Sequence, residues 1–230
     1  MKKRIGIQGF FVFLTIIISI LLSNLLFHQR EEVSLDRLFD MTGIVIILVG
    51  FLFRITARGY KSEKSNNGRT LVRDGPYRFM RHPMYFGTFL IGTGIILVLF
   101  KWWTFFLFLT VFLLIYMPQI KKEEALLTRC FGNEYLIYCK DVPKYFPDVS
   151  RFFKTDVKDG LSFKIAWVNK ELPSLIGVFA IISMIETWQD MRLFGYKGCF
   201  EELITLFFII GILLSIFLLF FKKKFNRKTS

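Results

Sequence analysis

Residues 75–87 read Gly-Pro-Tyr-Arg-Phe-Met-Arg-His-Pro-Met-Tyr-Phe-Gly, a dense polar stretch at the start of an apolar run. The residue before a proline is pushed out of the α region, so Gly75-Pro76 predicts a turn. Pro83 suits the first turn of a helix, where a missing N–H costs nothing. The pattern places Arg81 and His82 at a helix N-terminus, where unpaired N–H groups favour an anionic ligand group. The alternative is a basic collar that only anchors the helix.

The composition predicts a membrane protein. Of the 230 residues, 53% are hydrophobic and 18% aromatic, which is too apolar for an ordinary soluble domain. A bilayer core needs about 20 helical residues, and six apolar stretches meet or approach that length. They lie near residues 5–27, 41–57, 84–100, 104–120, 172–189 and 203–221. We therefore predict an all-α, multi-pass transmembrane helical bundle of about six spans, the third and fourth forming a tight hairpin.

The net charge of +13 is distributed as in a membrane protein rather than a nucleic-acid-binding protein. If the N-terminus starts in the cytoplasm and the spans alternate, cytoplasmic segments hold 24 of the 31 Lys and Arg residues and the opposite loops hold five. This asymmetry follows the positive-inside rule. It predicts cytoplasmic termini, location in the cell membrane if the source is bacterial, and no nucleic-acid partner.

Other segments set the expected organisation. The three cysteines form neither a CxxC nor a Cys/His pattern, so neither a disulfide framework nor a metal site is predicted. A polar linker is expected at 61–67 and an amphipathic surface tether at 148–164. We divide the chain into an N-terminal span and loop (1–40), a membrane core (41–147) and a tether with two further spans (148–230).

A pair of acidic residues, Glu123-Glu124, follows the fourth apolar run. Charged groups at membrane depth are expensive and often mark a site, although a solvated charge cluster is the alternative. Gly132 is typical of a helix C-cap, and residues 134–140 predict a short helix rich in Tyr that folds back over the bundle.

Glycines punctuate the third span. Gly87 and Gly94 are seven residues apart and share a helix face, while Gly92 lies elsewhere on the helix. Close helix packing through small residues explains such glycines. The functional alternative is that a bulky planar ligand needs a bare backbone there.

Taken together, these blocks resemble the isoprenylcysteine carboxyl methyltransferase and phospholipid methyltransferase superfamily. The resemblance covers roughly residues 41–147 and consists of four ordered blocks: Gly75 to Gly87, Gly92 to Gly94, Glu123-Glu124, and Phe131 to Pro143. It implies a membrane-embedded enzyme that binds S-adenosylmethionine under a cytoplasmic cap. A lipid-like or lipidated acceptor would enter from the bilayer; the oligomeric state is open.

The resemblance also implies roles for individual positions. Glu123, Glu124 and Arg81 would be catalytic, and Gln119 and Glu123 would contact the acceptor. The expected cofactor-binding residues are Arg69, Thr70, Leu71, Val72, Tyr77, His82, Pro83, Met84, Tyr85, Gly92, Gly94, Tyr135 and Tyr138.

One departure affects the acceptor. The eukaryotic isoprenylcysteine enzymes have an Arg four residues before the first Glu of the pair, where this chain has Gln119. O-methylation of a carboxylate is slightly preferred, since a carboxylate is ionised at neutral pH and needs no base. An amine acceptor must lose a proton, and either glutamate could take it.

Two other functions share features of this sequence. Membrane sterol reductases that use NADPH have a similar Arg-His-Pro-x-Tyr block, but favour Arg-Asp where this chain has Glu123-Glu124. A non-catalytic lipid-binding relative would fit Gln119 and the two additional spans, whereas the intact His82 and Tyr85 argue against it.

Overall fold

The computed structural model describes residues 23–27, 33–148 and 164–194. A helical turn, Ser23–Leu26, comes first, and a 3-10 turn, Gly75–Arg78, contains the predicted Gly-Pro break. The described residues contain no β-strand, which confirms the all-α fold. The main helices are α1 (Val33–Lys64), α2 (Pro83–Leu99), α3 (Thr104–Phe131), α4 (Asn133–Asp141) and α5 (Ile165–Phe194).

Three helices in the described part of the chain are long and apolar enough to cross a membrane. Their spanning segments are Leu38–Lys64, Thr104–Phe131 and Ala166–Gln189, while α2 is apolar but has only 17 residues. Helices α1, α2, α3 and α5 correspond to the second, third, fourth and fifth predicted stretches, respectively. Apart from residues 23–27, the first and sixth predicted stretches lie outside the described residues, as does most of the predicted tether. The total of six spans stays a prediction.

The helices are longer than their apolar runs. The predicted linker at 61–67 is wrong in its first half, because α1 continues to Lys64 and the turn comes at residues 65–68. Helix α3 continues through the acidic pair to Phe131, and α5 begins at Ile165. An apolar run reports the thickness of the lipid core, whereas Lys, Glu, Leu and Ala extend the helix beyond it as good helix formers.

Helices α1 and α2 pack through glycines on both sides of their contact. A Cβ atom added to Gly94 would lie 2.5 Å from the Gly43 carbonyl oxygen, and one added to Gly87 would lie 2.6 Å from that of Gly50. Gly43 and Gly50 are also seven residues apart, so two matched glycine pairs let the backbones approach. This close contact positions the start of α2 beside the C-terminal end of α1.

The chain divides into two compact units, Met1–Leu175 and Ile176–Ser230. The first contains α1 to α4, the start of α5 and the residues of the candidate site. In the second, the described part of α5 exposes apolar side chains such as Ile176, Ile181 and Met184. The predicted division into segments 1–40, 41–147 and 148–230 stays a prediction.

Candidate active site

Arg81 and His82 lie immediately before α2, and their side chains meet the acidic pair of α3. The Arg81 Nη1 atom donates to Glu124 Oε1 at 3.0 Å, and His82 Nε2 lies 3.3 Å from the same oxygen. On the other side of the ring, His82 Nδ1 lies 4.0 Å from Glu123 Oε2. Pro83 occupies the first turn of α2, as predicted, and fixes where the helix begins. Two predicted blocks separated by about forty residues of sequence thus form one cluster.

Two lysines complete this cluster, and sequence reasoning did not single them out. The Lys144 ammonium donates to Glu124 Oε2, and the Lys61 ammonium donates to Glu123 Oε1 at 3.1 Å. Lys61 lies on the last turn of α1, and Lys144 follows the predicted Val-Pro pair at 142–143. Each carboxylate therefore has a cation from a different part of the fold.

Helix α4 forms a cap over the segment before α2. Gly132, with φ of +52°, ends α3 and turns the chain into α4, which confirms the predicted C-cap and the short helix after it. The Tyr138 hydroxyl donates to the Tyr77 carbonyl oxygen at 2.7 Å. Buried Tyr135, Tyr138 and Val142 form a small core packed against Leu71, Leu127, Phe131 and Cys139.

Residues 142–148, which we call the strap, continue from the cap along the segment 79–81. The Arg81 N–H donates to the Pro143 carbonyl at 2.9 Å, and the Asp148 N–H donates to the Phe79 carbonyl at 3.0 Å. At the other end of the cap, Arg73 donates to the Glu134 carboxylate. Backbone and side-chain bonds thus hold α4 and the strap against the candidate site.

Burial controls the charge of His82. Its side chain is 5% exposed, and desolvation lowers the pKa of the imidazole, although the bond to Glu124 opposes that shift. A neutral ring that donates from Nε2 to Glu124 turns its Nδ1 lone pair towards Glu123. Burial also acts to lower the pKa of Lys144, but the hydrogen bond and the charge attraction of Glu124, together with Tyr145, outweigh it and the pKa is raised.

Tyr85 continues the site one turn into α2. Its ring lies 5.8 Å from that of His82 and 5.5 Å from that of Tyr116, between ring centroids. Its side chain also interacts with Glu123 and Gln119, which lie one turn apart on α3. The predicted residues His82, Tyr85, Gln119 and Glu123 therefore share one neighbourhood.

Other predicted cofactor residues lie at varied distances from this cluster. Arg69 and Thr70 are exposed after the turn that follows α1, Val72 is half-buried, and Leu71 packs under the cap. Pro83 is buried and Met84 half-buried in the first turn of α2. The structure thus groups Leu71 with Tyr135 and Tyr138, but brings none of Arg69, Thr70 and Val72 to the carboxylates by a contact among the described residues.

Protein atoms occupy the faces of the two predicted glycines deeper in α2. A Cβ atom on Gly92 would lie 2.3 Å from the Phe108 ring, and one on Gly94 would meet the backbone of α1. This geometry favours helix packing, rather than ligand binding, as the reason for both glycines, since each faces a neighbouring helix.

Comparison with known proteins places this cluster in a family context. Residues 39–134 match the phospholipid methyltransferase family. The protein-S-isoprenylcysteine O-methyltransferase of Schizosaccharomyces pombe is 36% identical over 86 residues, covering 37% of this chain and 36% of that protein. The human protein of the same name is 28% identical over 145 residues, covering 55% and 46%. The cobalt-zinc-cadmium resistance protein CzcN of Cupriavidus metallidurans is 29% identical over 156 residues, covering 66% and 67%.

The chain spans about a third to a half of the length of these two isoprenylcysteine relatives, and no solved structure matches it. The family match contains Arg81, His82 and both glutamates, whereas most of α4 and all of the strap follow it. The resemblance in the sequence is thus confirmed for the membrane core, because residues 39–134 match the phospholipid methyltransferase family and the chain is similar over part of its length to proteins named protein-S-isoprenylcysteine O-methyltransferase.

Proposed function

We propose that this chain is an integral-membrane methyltransferase that uses S-adenosylmethionine to methylate a lipid-like or isoprenylcysteine-type acceptor. The observation that carries the proposal is the cluster in which buried His82 bonds to Glu124 and lies beside Glu123 at the start of a membrane helix. Charges at such a position are costly and are kept where they bind or react. The family match over residues 39–134 supports the same reaction class.

The side chains present fit S-adenosylmethionine by their chemistry. Glu123, whose side chain is 28% exposed, would complement a sulfonium or ammonium cation, and Lys61 beside it would complement a carboxylate. The rings of Tyr77 and Tyr85 offer faces to a cation or a planar base. When bound, the cofactor supplies a methyl group activated by its positive sulfur.

The residues of the chain would then orient the reactants and exclude water. Alignment of donor and nucleophile can account for much of the acceleration of such a transfer. The strap contacts the cluster through Lys144 and Pro143, and exclusion of water from a closed site would strengthen the electrostatic interactions inside it. For a carboxylate acceptor no base is required, whereas for an amine Glu123 would take the proton. We prefer O-methylation on this basis.

The acceptor is expected to enter from the lipid phase. Apolar side chains of α3 are exposed, Leu107, Leu114 and Ile115 among them, as expected for a helix that faces hydrocarbon. Gln119, in place of the family's arginine, is exposed one turn before Glu123. Lys61 supplies a positive charge beside Glu123 instead. The headgroup of the acceptor can therefore differ between this chain and its relatives.

The test uses the full chain in lipid nanodiscs. S-adenosylhomocysteine should raise its melting temperature and NADPH should not, because the proposed pocket is built for a methyl donor. Membranes incubated with methyl-labelled cofactor should yield a labelled lipid-soluble product, and base should release the label if the product is a methyl ester. Stabilisation by NADPH alone, or absence of labelled product, would contradict the proposal.

A further inference from the structure

The two adjacent glutamates have unequal surroundings. Glu124 contacts three groups that carry or donate a proton: Arg81 at 3.0 Å, His82 at 3.3 Å, and the Lys144 ammonium. Glu123 pairs with Lys61, whose side chain is 53% exposed, and lies 4.0 Å from His82. The Glu123 side chain is 28% exposed and that of Glu124 is 18% exposed.

The partners of Glu124 belong to the segment before α2 and to the strap. Arg81 uses its guanidinium for Glu124 and its backbone N–H for Pro143, the residue next to Lys144. Lys144 itself reaches back to the other oxygen of Glu124. A closed set of contacts thus joins α3, the start of α2 and the strap, with Glu124 at its centre.

A carboxylate in this position has little capacity left for a ligand. Both of its oxygens accept charge-assisted bonds, which are stronger than neutral ones. A new cation would have to displace Arg81 or Lys144 and leave a partly buried charge unpaired, which is unfavourable. Glu123 is more exposed, so a cation can approach it without displacing a buried partner.

We propose that Lys144 is a positioning residue, which acts through Glu124 to hold the strap over the site, and that Glu123 is the carboxylate that faces the ligand. This division of roles rests on the proposed function and deepens it. It also assigns a role to a residue beyond the matched family region.

The first test needs no cofactor. Hydrogen exchange of the unliganded full chain is measured by mass spectrometry over the strap, where the Asp148 N–H reports its bond to Phe79. Lys144→Met and Glu124→Gln should each speed exchange there about tenfold, and the double variant should add little, because both remove one interaction. Lys144→Arg should restore protection. Lys140→Met, which changes an exposed lysine of the neighbouring helix α4, is the matched control and should change nothing.

The second test measures the ligand. Lys144→Met and Glu124→Gln should speed dissociation of S-adenosylhomocysteine about tenfold and raise the KM for the cofactor more than they lower kcat. Glu123→Gln should lower kcat at saturating cofactor and leave hydrogen exchange of the strap unchanged. That split would not follow from a purely structural role of all three residues.

The outcomes separate this inference from the proposed function. Unchanged strap exchange in Lys144→Met and Glu124→Gln, or additive effects in the double variant, overturns the positioning role of Lys144, whatever the chain binds. Faster strap exchange in Glu123→Gln overturns the division of roles. A parent chain that fails to bind S-adenosylhomocysteine refutes the proposed function, while strap exchange still decides the Lys144–Glu124 pair.

Discussion

His82 is the residue at which the two halves of the site meet, since its ring nitrogens face both members of the acidic pair. Arg81, also bonded to Glu124, adds a fixed positive charge nearby that disfavours a second one. Burial is the larger cause, and together they keep the imidazole pKa below its ordinary value of 6.5. A neutral ring can accept a proton at Nδ1 and pass it on. An imidazolium cannot accept one, because both of its nitrogens already carry a proton.

The depressed pKa of His82 predicts a pH dependence of stability. Below pH 6.5 the unfolded chain binds a proton that the folded chain resists, so the free energy of unfolding should fall as the pH drops from about 7.5 towards the folded pKa. His82→Gln cannot titrate and should flatten this part of the profile. Thermal unfolding in detergent, followed by tryptophan fluorescence, measures the effect. Superimposable profiles of parent and variant would contradict the assignment.

The sequence reveals a site residue only where the neighbouring residues form a recognisable pattern. Arg81, His82 and the glutamates stand out because their polar groups interrupt apolar runs or sit beside a helix-starting proline. Lys61 and Lys144 carry no such signal among the 31 basic residues of the chain. Their importance comes from contacts across 62 and 20 residues of sequence, respectively, which depend on how the helices pack.

At the scale of the helices, the matched glycines of α1 and α2 give a sharp prediction. Gly94→Leu should lower the free energy of unfolding by about 2–3 kcal/mol or more, since the added side chain would collide with the Gly43 backbone. Gly177→Leu is the matched control, because a Cβ there meets open space, and should have little effect. Equal melting temperatures of the two variants would contradict the packing role. So would loss of cofactor affinity by Gly94→Leu without loss of stability.

The helix lengths show why sequence patterns gave only part of each element. Hydropathy located α2 to within one residue at each end, because Pro83 and the Lys-Trp-Trp turn bound its apolar run. It placed the ends of α1 and α3 too early, where charged residues follow. The Lys61–Glu123 pair joins those polar ends, and it forms only once α1 and α3 are side by side.

The start of α5 is attached to α1 by a buried charge that sequence analysis did not identify. The Glu171 side chain is fully buried, 3.0 Å from Arg54 Nη2, and it also pairs with Arg58. Trp167 packs on Gly59 and donates to Glu63 at 2.8 Å. Residues outside the matched family region therefore belong to the same compact unit as the candidate site.

Glu171→Gln should consequently destabilise the protein. The amide keeps the shape but leaves two partly exposed arginines without a counter-charge, and the loss of a hydrogen bond between charged groups costs about 1.5–3 kcal/mol. Glu63→Gln removes an exposed pair with Lys164, which water and salt screen, and should destabilise the protein less than Glu171→Gln does. Unfolding midpoints of both variants in detergent provide the measurement. A larger loss for Glu63→Gln than for Glu171→Gln would contradict the role of the buried carboxylate.

At the scale of the whole molecule, the candidate site and the basic segments share one end of the helices. The C-terminal end of α1, the start of α2, the acidic pair and the cap are joined there by ion pairs. The other end of α2 leads into the turn at Lys101, where Trp102 is 78% exposed. An interfacial tryptophan suits the opposite membrane surface. The positive-inside rule then predicts that the site faces the cytoplasm.

This orientation predicts the outcome of cysteine labelling in intact cells. In a variant without native cysteines, single cysteines at Asn66 and Asp148 should react only after the membrane is permeabilised, because the 24-to-5 distribution of basic residues predicts that both face the cytoplasm. A cysteine at Trp102 should react with an impermeant reagent in intact cells, and it serves as the control for reagent access. Residues 66 and 148 lie on segments bonded to the same cluster of helix ends, the second through its N–H to Phe79. Labelling of Asn66 and Asp148 from opposite sides would therefore contradict both the orientation and the assembly of the site, whereas labelling of both from outside would contradict the orientation alone.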